Sequence, residues 1–272
     1  MIVNTTTDLF AVFGNPVAHS MGPLMHNTWF NACNVNACYM AFAIDDIHQG
    51  MAAMRTLNIK GASITIPFKE KILYCLDGVD PVAGDIGAVN TVLNSNGELW
   101  GYNTDCAGAV DPLKQISSLA GKRVYILGAG GAARAVAFGI AREQGRVVIV
   151  NRNEERGKSL AHHVKGTFVP WHDFTGADAD IIINTTPLGM TPDTHSTPVD
   201  KTAFHIDTVV MDIVYNPLDT RLLCDARGVG CKTVDGLSMF IHQGAHQFRL
   251  FTGQTPPLEL MRNTIIKALS HQ

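Results

Sequence analysis

Two residues capable of acid–base chemistry follow short apolar segments in the first half of the chain. Lys69 comes after the segment SITIP (63–67), and Asp105 ends the segment GYNTD (101–105). A lysine serves as a general acid or base when burial and neighbouring groups lower its pKa, and a carboxylate can hold it in place. Taken singly, a lysine is more often a solvated charge and such an aspartate a turn former. Together, Lys69 and Asp105 predict a site for proton transfer, provided that other motifs indicate an enzyme.

A glycine-rich segment offers a second kind of chemistry. Gly128, Gly130 and Gly131 follow an apolar strand pattern, and a helical pattern begins directly behind them in VYILGAGGAARAV (124–136). Glycines let the backbone approach a pyrophosphate, and a helix N-terminus offers free N–H groups. Ala133 stands at the third position of the dinucleotide fingerprint. The segment therefore predicts a dinucleotide site, with a ligand-free tight turn as the alternative.

The end of the following strand discriminates between the two nicotinamide cofactors. RVVIV (146–150) leads into Asn151, Arg152 and Asn153, about 20 residues beyond the glycines, where the residue that contacts the ribose is expected. NAD enzymes usually carry a carboxylate there, whereas a guanidinium binds phosphate oxygens in a bidentate fashion. Arg156 lies just beyond. NADP is therefore favoured, and NAD stays possible because Glu154 and Glu155 are close.

The histidine spacings do not predict a metal site. His242 and His246 are four residues apart on a helical pattern, but an HExxH motif would need Glu in place of Gln243. His162 and His163 are adjacent and point in different directions on a helix. All four are interpreted as surface or packing residues.

The segment NPVAHSMGPLMHN (15–27) combines unusual residues in one strand-to-helix turn. It holds a proline after an asparagine, two histidines and the single hydroxyl of Ser20. Pro23 suits the first turn of a helix. Gly22 stands where a polar side chain might be expected, and its role has to come from the surroundings.

Strands and helices alternate along the first hundred residues. The pattern predicts strands at 8–14, 37–44 and 61–67, helices at 22–35 and 47–59, and a hairpin over 85–105 that turns at Asn96-Gly97. This is an α/β arrangement.

A second α/β pattern begins at residue 121. Strand, glycine-rich turn, helix and strand follow in order, and the segments 178–190, 208–217 and 230–234 supply further apolar runs that are typical of buried parallel strands. From residue 237 the pattern is helical to the end. We predict an N-terminal α/β substrate domain (1–104 plus 238–272) and a Rossmann-type, doubly wound NAD(P)-binding domain (105–237), with the boundary near residues 104–120.

Composition excludes several classes of protein. The 272 residues are 46% hydrophobic and 17% charged, with a net charge of −3. Nothing here directs the chain to nucleic acid or to an anionic membrane. The start lacks a basic, apolar leader pattern, and six scattered cysteines without a CxxC pair suggest reduced thiols that mostly fill the core. We expect a cytoplasmic protein with a small-molecule substrate.

Nine ordered motifs resemble one family, the shikimate dehydrogenases, including the quinate/shikimate subgroup. They cover nearly the whole chain and read GNPVAHSMGPLMHN, TIPFKE, GAVNT, NTD, LGAGGAARA, NR, NTTPLGM, DIVYNP and DGLSMFIHQGAHQF. The resemblance implies a role for each matching position. The catalytic pair is Lys69 and Asp105. Residues at the substrate carboxylate or ring hydroxyls are Ser20, Gly22, Thr65, Asn90, Tyr215 and Gln243. Cofactor residues are Gly128, Ala129, Gly130, Gly131, Ala132, Asn151, Arg152, Asn153 and Arg156, with Thr186, Ile213, Gly236 and Met239 at the nicotinamide end.

The chain departs from the family pattern at several of these motifs. Gly22 replaces a serine whose hydroxyl holds the substrate carboxylate, so one donor is missing. Ser63 replaces an asparagine two residues before Thr65, and Asn153 replaces a threonine in the cofactor loop. Cys106 and Ser238 replace glycines. These departures affect the carboxylate pocket and the cofactor loop but leave Lys69 and Asp105 in place.

The resemblance implies a reversible NADP-dependent oxidoreductase that reduces 3-dehydroshikimate to shikimate in the biosynthesis of chorismate and aromatic amino acids. Gly22 keeps open a quinate/shikimate or aminoshikimate-type dehydrogenase with relaxed or NAD cofactor use. A catalytically idle nucleotide-binding protein is a third reading, and the retained polar set argues against it. No metal is implied, and the expected assembly is a monomer or a homodimer.

Overall fold

The computed structural model describes residues 3–269 of the chain. The chain divides into two compact units, Met1–Thr104 with Gln243–Gln272 and Asp105–His242. They are called the first unit and the second unit. The division falls inside the long helix near the C-terminal end, so that helix contributes residues to both units.

The first unit is built on a mixed six-stranded sheet. Its elements are β1 (Asp8–Gly14), α1 (Gly22–Ala32), β2 (Ala37–Ala43), α2 (Ile47–Thr56), β3 (Gly61–Ile64), a 3-10 turn (Lys71–Cys75), β4 (Gly78–Val79), α3 (Pro81–Ile86), β5 (Thr91–Ser95) and β6 (Glu98–Tyr102). The strand order is β2-β1-β3-β5-β6-β4. β1 runs parallel to β2 and β3, whereas β5 is antiparallel to both β3 and β6. Parallel strands therefore form one half of the sheet, and the β5–β6 hairpin with the short strand β4, which runs parallel to β6, forms the other.

The hairpin turn has the geometry that its sequence predicts. Asn96 and Gly97 have φ values of 55° and 96°, as a two-residue turn between twisted strands requires. The hairpin is shorter than the predicted span of 85–105, because a helix, α3, precedes it. Asp80 caps that helix by accepting a hydrogen bond from the Val82 N–H, and Gly87 ends it in the left-handed conformation.

The second unit holds a fully parallel six-stranded sheet. Its elements are α4 (Asp105–Lys114), β7 (Arg123–Leu127), α5 (Gly131–Arg142), β8 (Arg146–Asn151), α6 (Glu154–His163), β9 (Thr167–Pro170), a 3-10 turn (Trp171–Asp173), β10 (Ile181–Asn184), a 3-10 turn (Lys201–Ala203), β11 (Val209–Asp212), α7 (Arg221–Val229) and β12 (Lys232–Val234). The order is β12-β11-β10-β7-β8-β9, with the reversal of winding between β10 and β7. This is the Rossmann order, and the predicted fold class is confirmed.

Alternate residues of each central strand contribute to different core layers. Val124 and Ile126 of β7 belong to a cluster with α4 and α5, whereas Tyr125 and Leu127 belong to a cluster with α7. Both faces of the sheet are covered, as a parallel sheet requires.

The C-terminal region forms two helices, α8 (Gly236–Thr252) and α9 (Leu258–Leu269). The predicted helical run is therefore interrupted, because Gly253 adopts a positive φ of 72° and Pro256 and Pro257 follow it. The Trp29 indole N–H donates to the Pro257 carbonyl, which ties this break to α1.

All six cysteines are free, but only Cys106 and Cys231 are buried. The expectation that most of them fill the core is therefore wrong. Among residues 3–269, no helix is long and apolar enough to cross a membrane.

Candidate functional site

The glycine-rich turn of the second unit is shaped by a close backbone approach. Gly128 follows β7 with a φ of +119°, and a Cβ built there would lie 2.6 Å from the Thr185 hydroxyl oxygen. Its N–H donates to the Val150 carbonyl at 2.8 Å. Both the conformation and the lack of space require glycine at this position.

The N-terminus of α5 presents open backbone donors. Gly130 is the N-cap residue, no side chain caps the helix, and a Cβ on Gly130 would meet no atom within 4 Å. Ala133 on the inner face of α5 is completely buried, so the helix packs closely on the sheet. Free N–H groups beside open space at the positive end of a helix fit the pyrophosphate of a dinucleotide.

The turn after β8 is held by its own side chains. Asn151 Nδ2 donates to the Asn153 carbonyl at 2.8 Å, and Asn153 Oδ1 accepts from the Arg156 N–H at 2.9 Å as the N-cap of α6. Arg152 and Arg156 are both exposed. The Glu154 carboxylate pairs with Lys158 at 2.8 Å. The turn therefore offers two guanidinium groups and no carboxylate at the strand end itself.

The residues expected at the nicotinamide end are spread over three segments of the second unit. Thr186 follows β10, Ile213 follows β11, and both are partly buried. Gly236 opens α8 where a Cβ would lie 2.4 Å from the Val214 carbonyl oxygen, so any side chain there would collide with backbone. Met239 is buried and belongs to the core of the unit.

Sequence reasoning missed a polar group at the ends of β10 and β11. Asn184 and Asp212 are register partners as the last residues of these strands, and both are completely buried. Asn184 Nδ2 donates to Asp212 Oδ1 at 2.9 Å. The available signal was a polar residue closing each apolar strand, in IIIN (181–184) and VVMD (209–212).

In the first unit, the opening turn packs against the loop that leads to Lys69. A Cβ on Gly14 would lie 2.2 Å from the Thr65 methyl group, so glycine is required for this approach. The Asn15 N–H donates to the Ile66 carbonyl at 2.9 Å, and the Asn15 amide donates to Asp45 at 2.7 Å. The structure therefore places the predicted residue Thr65 beside the turn that carries Ser20.

Gly22 lies in a small space between two hydroxyl groups. Its N–H donates to Ser20 Oγ at 3.2 Å. A Cβ on Gly22 would lie 3.2 Å from Ser20 Oγ and 3.7 Å from the Tyr39 hydroxyl oxygen. Because Ser20 accepts from the backbone, its own hydrogen stays available to donate. The position admits a small side chain if the Ser20 hydroxyl turns aside.

Lys69 sits on a loop whose backbone is fixed. Its carbonyl accepts from the Val89 N–H at 2.8 Å, and the Phe68 N–H donates to the Thr65 carbonyl at 3.0 Å. Its side chain is partly buried. The Val89 bond also places Lys69 next to the strand segment that carries Asn90.

Asn90 is nearly completely buried and its amide has one orientation. Its Oδ1 accepts from the Thr104 N–H and from the Thr91 hydroxyl, both at 2.8 Å, and its Nδ2 donates to Thr104 Oγ1 at 2.9 Å. A backbone N–H can only donate, so the amide oxygen must face Thr104.

A chain of hydrogen bonds extends from Asn90 to Tyr39. Gln247 Nε2 donates to the Asn90 carbonyl at 3.2 Å, which leaves Gln247 Oε1 to accept from Ser63 at 2.8 Å. The Ser63 hydrogen is thereby used, so Ser63 accepts from the Tyr39 hydroxyl at 2.5 Å. Burial raises the pKa of Tyr39 above its usual value, which keeps the phenol protonated.

His26 completes this network inside an aromatic cluster. Its ring stacks on Tyr39 at 4.4 Å between centroids, and its Nε2 lies 3.3 Å from Gln247 Oε1. Because that oxygen only accepts, His26 Nε2 carries the hydrogen. Burial lowers the pKa of His26 to about 3, so the ring is neutral and has a packing role.

Asp105 and Gln243 are the first residues of their segments in the division of the chain into units, and Tyr215 lies within the second unit. Asp105 is the first residue of α4 and is 6% exposed. Gln243 is in α8 and is partly buried. Tyr215 stacks on Phe240 at 5.0 Å within the second unit, and burial raises its pKa. Among the described residues, no three His, Cys, Asp or Glu side chains are grouped to hold a metal ion.

Three family models match the chain. The model for the shikimate dehydrogenase substrate binding domain matches residues 12–92, the model for shikimate / quinate 5-dehydrogenase matches 112–217, and the model for the shikimate 5'-dehydrogenase C-terminal domain matches 236–266.

Similar proteins extend over nearly the full length. A shikimate dehydrogenase (NADP(+)) from Methanosarcina mazei is 44% identical, with 96% of this chain and 98% of that protein covered. A crystal structure of a shikimate dehydrogenase in complex with NADP+ has a TM-score of 0.95 at 39% identity, with 98% of each chain covered. The Thermus thermophilus enzyme in complex with NADP(H) and shikimate has a TM-score of 0.90 at 36% identity, with 96% of this chain and 100% of that chain covered.

Proposed function

Because this chain belongs to the shikimate dehydrogenase family, we propose that it catalyses the reversible, NADP-dependent reduction of 3-dehydroshikimate to shikimate. The observation that carries the proposal is the 44% identity to a relative named shikimate dehydrogenase (NADP(+)) across 98% of that relative's length. The reaction belongs to the biosynthesis of chorismate and aromatic amino acids.

The second unit would hold the cofactor. Its pyrophosphate would lie at Gly128–Ala132, where the uncapped start of α5 and the open space at Gly130 fit an anion. The ribose 2′-phosphate would lie at the turn formed by Asn151, Arg152, Asn153 and Arg156. Bound NADPH supplies the hydride. Thr186, Ile213, Gly236 and Met239 would contact the nicotinamide half.

Several of the predicted residues would act on the substrate. Lys69 would stabilise the negative charge that develops on the carbonyl oxygen and supply the proton that forms the alcohol. Asp105 would orient the Lys69 ammonium group and the neighbouring hydroxyl. Ser20, Thr65 and Tyr215 would contact the carboxylate end, and Asn90 and Gln243 would contact the ring hydroxyls. The fixed amide of Asn90 supports a role in orientation, because its direction needs no adjustment on binding.

The finer properties follow from the same proposal. Residues 1–104 plus 238–272 would form the substrate-binding and catalytic domain, and residues 105–237 the dinucleotide-binding domain. We propose a cytoplasmic enzyme, a monomer or a homodimer, that acts on small molecules without a nucleic-acid or membrane partner.

The proposal is tested by a steady-state matrix in which shikimate and quinate are each oxidised with NADP and with NAD. We expect kcat/KM for shikimate with NADP to exceed the other three values by at least about tenfold, the effect of one hydrogen bond to a charged group. A higher kcat/KM with quinate or with NAD would favour the second candidate function described below. Four inactive combinations would contradict a dehydrogenase and support an idle binding protein.

Gly22 favours a second candidate, a quinate/shikimate or aminoshikimate-type dehydrogenase with relaxed or NAD cofactor use. The serine hydroxyl of the family is absent at this position, so an acid with an extra ring hydroxyl would meet the Ser20 hydroxyl alone in place of two serine hydroxyls.

The variant Gly22→Ser discriminates between the two candidates. If the protein is quinate-adapted, the new hydroxyl should lower the KM for shikimate by about tenfold, equivalent to about 1.4 kcal/mol, and reduce quinate oxidation. Gly22→Ala is the matched control, because it adds the Cβ near Ser20 without a donor. Equal effects of the two variants, or no effect on either substrate, would argue against the quinate reading.

A further inference from the structure

Asp212 is a fully buried carboxylate at the carboxyl end of β11, and none of the roles proposed above uses it. Three donors surround its two oxygen atoms. Oδ1 accepts from Asn184 Nδ2 at 2.9 Å and from the Val214 N–H at 3.0 Å, and Oδ2 accepts from the Thr220 hydroxyl at 2.7 Å. These groups come from β10, from the segment after β11 and from the start of α7, and none of them is charged.

Each of the three donors is directly connected to a neighbouring segment of the second unit. Asn184 Oδ1 accepts from the Thr186 N–H at 3.0 Å and from the Thr186 hydroxyl at 2.7 Å. The Val214 bond fixes the backbone immediately after Ile213. Thr220 caps α7. A single carboxylate thus holds the two segments that carry Thr186 and Ile213.

Stability alone does not explain why a carboxylate occupies this position. Burial raises the pKa of Asp212 to about 6, although its three hydrogen bonds act in the opposite direction. The folded state therefore binds this proton more tightly than the unfolded chain does. The folded protein accordingly loses stability as the pH rises from about 4 to about 6. The ionised carboxylate is thus less favourable for folding than the protonated one, although it is the stronger acceptor for its three donors.

We propose that Asp212 is a positioning residue that fixes the segments carrying Thr186 and Ile213 for the nicotinamide half of the cofactor. The proposal rests on the proposed function, in which the second unit binds NADP. In the sheet of the second unit, β10 and β11 lie on one side of β7 and β8 lies on the other. The winding of the sheet reverses between β7 and β10. A dinucleotide binds across that point, so its two halves depend on different segments.

The test compares two probes, NADP+ and adenosine 2′,5′-bisphosphate, which carries the phosphorylated ribose but no nicotinamide. For Asp212→Asn we expect the dissociation constant of NADP+ to rise about tenfold, because neutral acceptors form weaker hydrogen bonds than a carboxylate. Asp212→Ala should raise it further. The dissociation constant of the bisphosphate should stay unchanged in Asp212→Asn, because the residues that would bind its 2′-phosphate follow β8.

Thermal unfolding tests the buried carboxylate itself, whereas the comparison of the two probes tests its positioning role. As the pH rises from about 4 to about 6, the wild-type protein should lose melting temperature relative to Asp212→Asn, because the variant has no carboxylate to ionise at this position. Asp225→Asn is the matched control in α7, where the carboxylate pairs with Arg221 of the same helix, and NADP+ affinity should not change.

Thr220→Val and Thr220→Ser provide a second test if the Asp212 variants fold poorly. Thr220→Val removes the hydroxyl that donates to Asp212 Oδ2 and should weaken NADP+ binding. Thr220→Ser keeps that hydroxyl and should bind NADP+ as tightly as the wild-type protein does. Equal weakening of both probes in Asp212→Asn would make Asp212 a general structural residue and overturn the inference. Unchanged NADP+ affinity in all variants would overturn it as well. A wild-type protein that binds neither probe would instead contradict the proposed function.

Discussion

Replacement of Lys69 by alanine is expected to lower kcat by about 10²- to 10⁴-fold, the range that general acid–base catalysis contributes. The KM for shikimate should change little, because a group that acts mainly on the developing charge contributes to the transition state rather than to ground-state binding. The loop should remain folded, since its hydrogen bonds at Thr65 and Lys69 are made by backbone atoms. Steady-state kinetics in the direction of shikimate oxidation would measure both constants.

Lys71→Ala is the matched control for this variant. Lys71 is an exposed lysine two residues away, at the start of the 3-10 turn, and its loss should leave kcat unchanged. Circular dichroism and thermal unfolding would establish that both variants fold. An unchanged kcat in Lys69→Ala would remove this lysine from the mechanism, and a rise in KM alone would reduce it to a binding residue.

Local motifs made the Rossmann unit predictable from the sequence. The glycines at 128, 130 and 131 work through backbone conformation and the lack of a side chain, both of which are properties of the residue itself. The hairpin at Asn96-Gly97 was predictable for the same reason. Helix α3 was missed although Asp80, Pro81 and Gly87 are ordinary start and stop signals, because the end of this helix falls within the predicted hairpin span of 85–105.

The polar networks could not be predicted, because they join residues that are distant in sequence. Gln247 lies 221 residues after His26 and 184 after Ser63 in the chain, yet it bonds both. Gln243 and Gln247 are one turn apart on helix α8. Only the contacts around them show that Gln247 fixes the directions of the Ser63 and Tyr39 hydroxyl hydrogens. The same holds for Asp212, which accepts a hydrogen bond from Asn184, 28 residues earlier in the chain.

Replacement of Arg152 by alanine is expected to lower kcat/KM with NADP by about 10- to 100-fold and to leave kcat/KM with NAD nearly unchanged. A hydrogen bond to a charged group contributes about 1.5–3 kcal/mol, and about 1.4 kcal/mol corresponds to a factor of ten. Arg152 follows a strand whose end turn is fixed by Asn151 and Asn153, so its guanidinium starts from a defined backbone position. Steady-state kinetics with each cofactor at saturating shikimate would measure the change.

Arg221→Ala provides the matched control, because this exposed arginine pairs with Asp225 on α7 and should affect neither cofactor. Arg156→Ala should act in the same direction as Arg152→Ala, since both guanidinium groups extend from the turn that Asn153 caps. Equal losses with NADP and NAD would contradict recognition of the 2′-phosphate by Arg152. A loss confined to Arg156→Ala would assign recognition of the 2′-phosphate to Arg156, in the first turn of α6. The Glu154 carboxylate of that turn pairs with Lys158, so it competes little with a phosphate for Arg156.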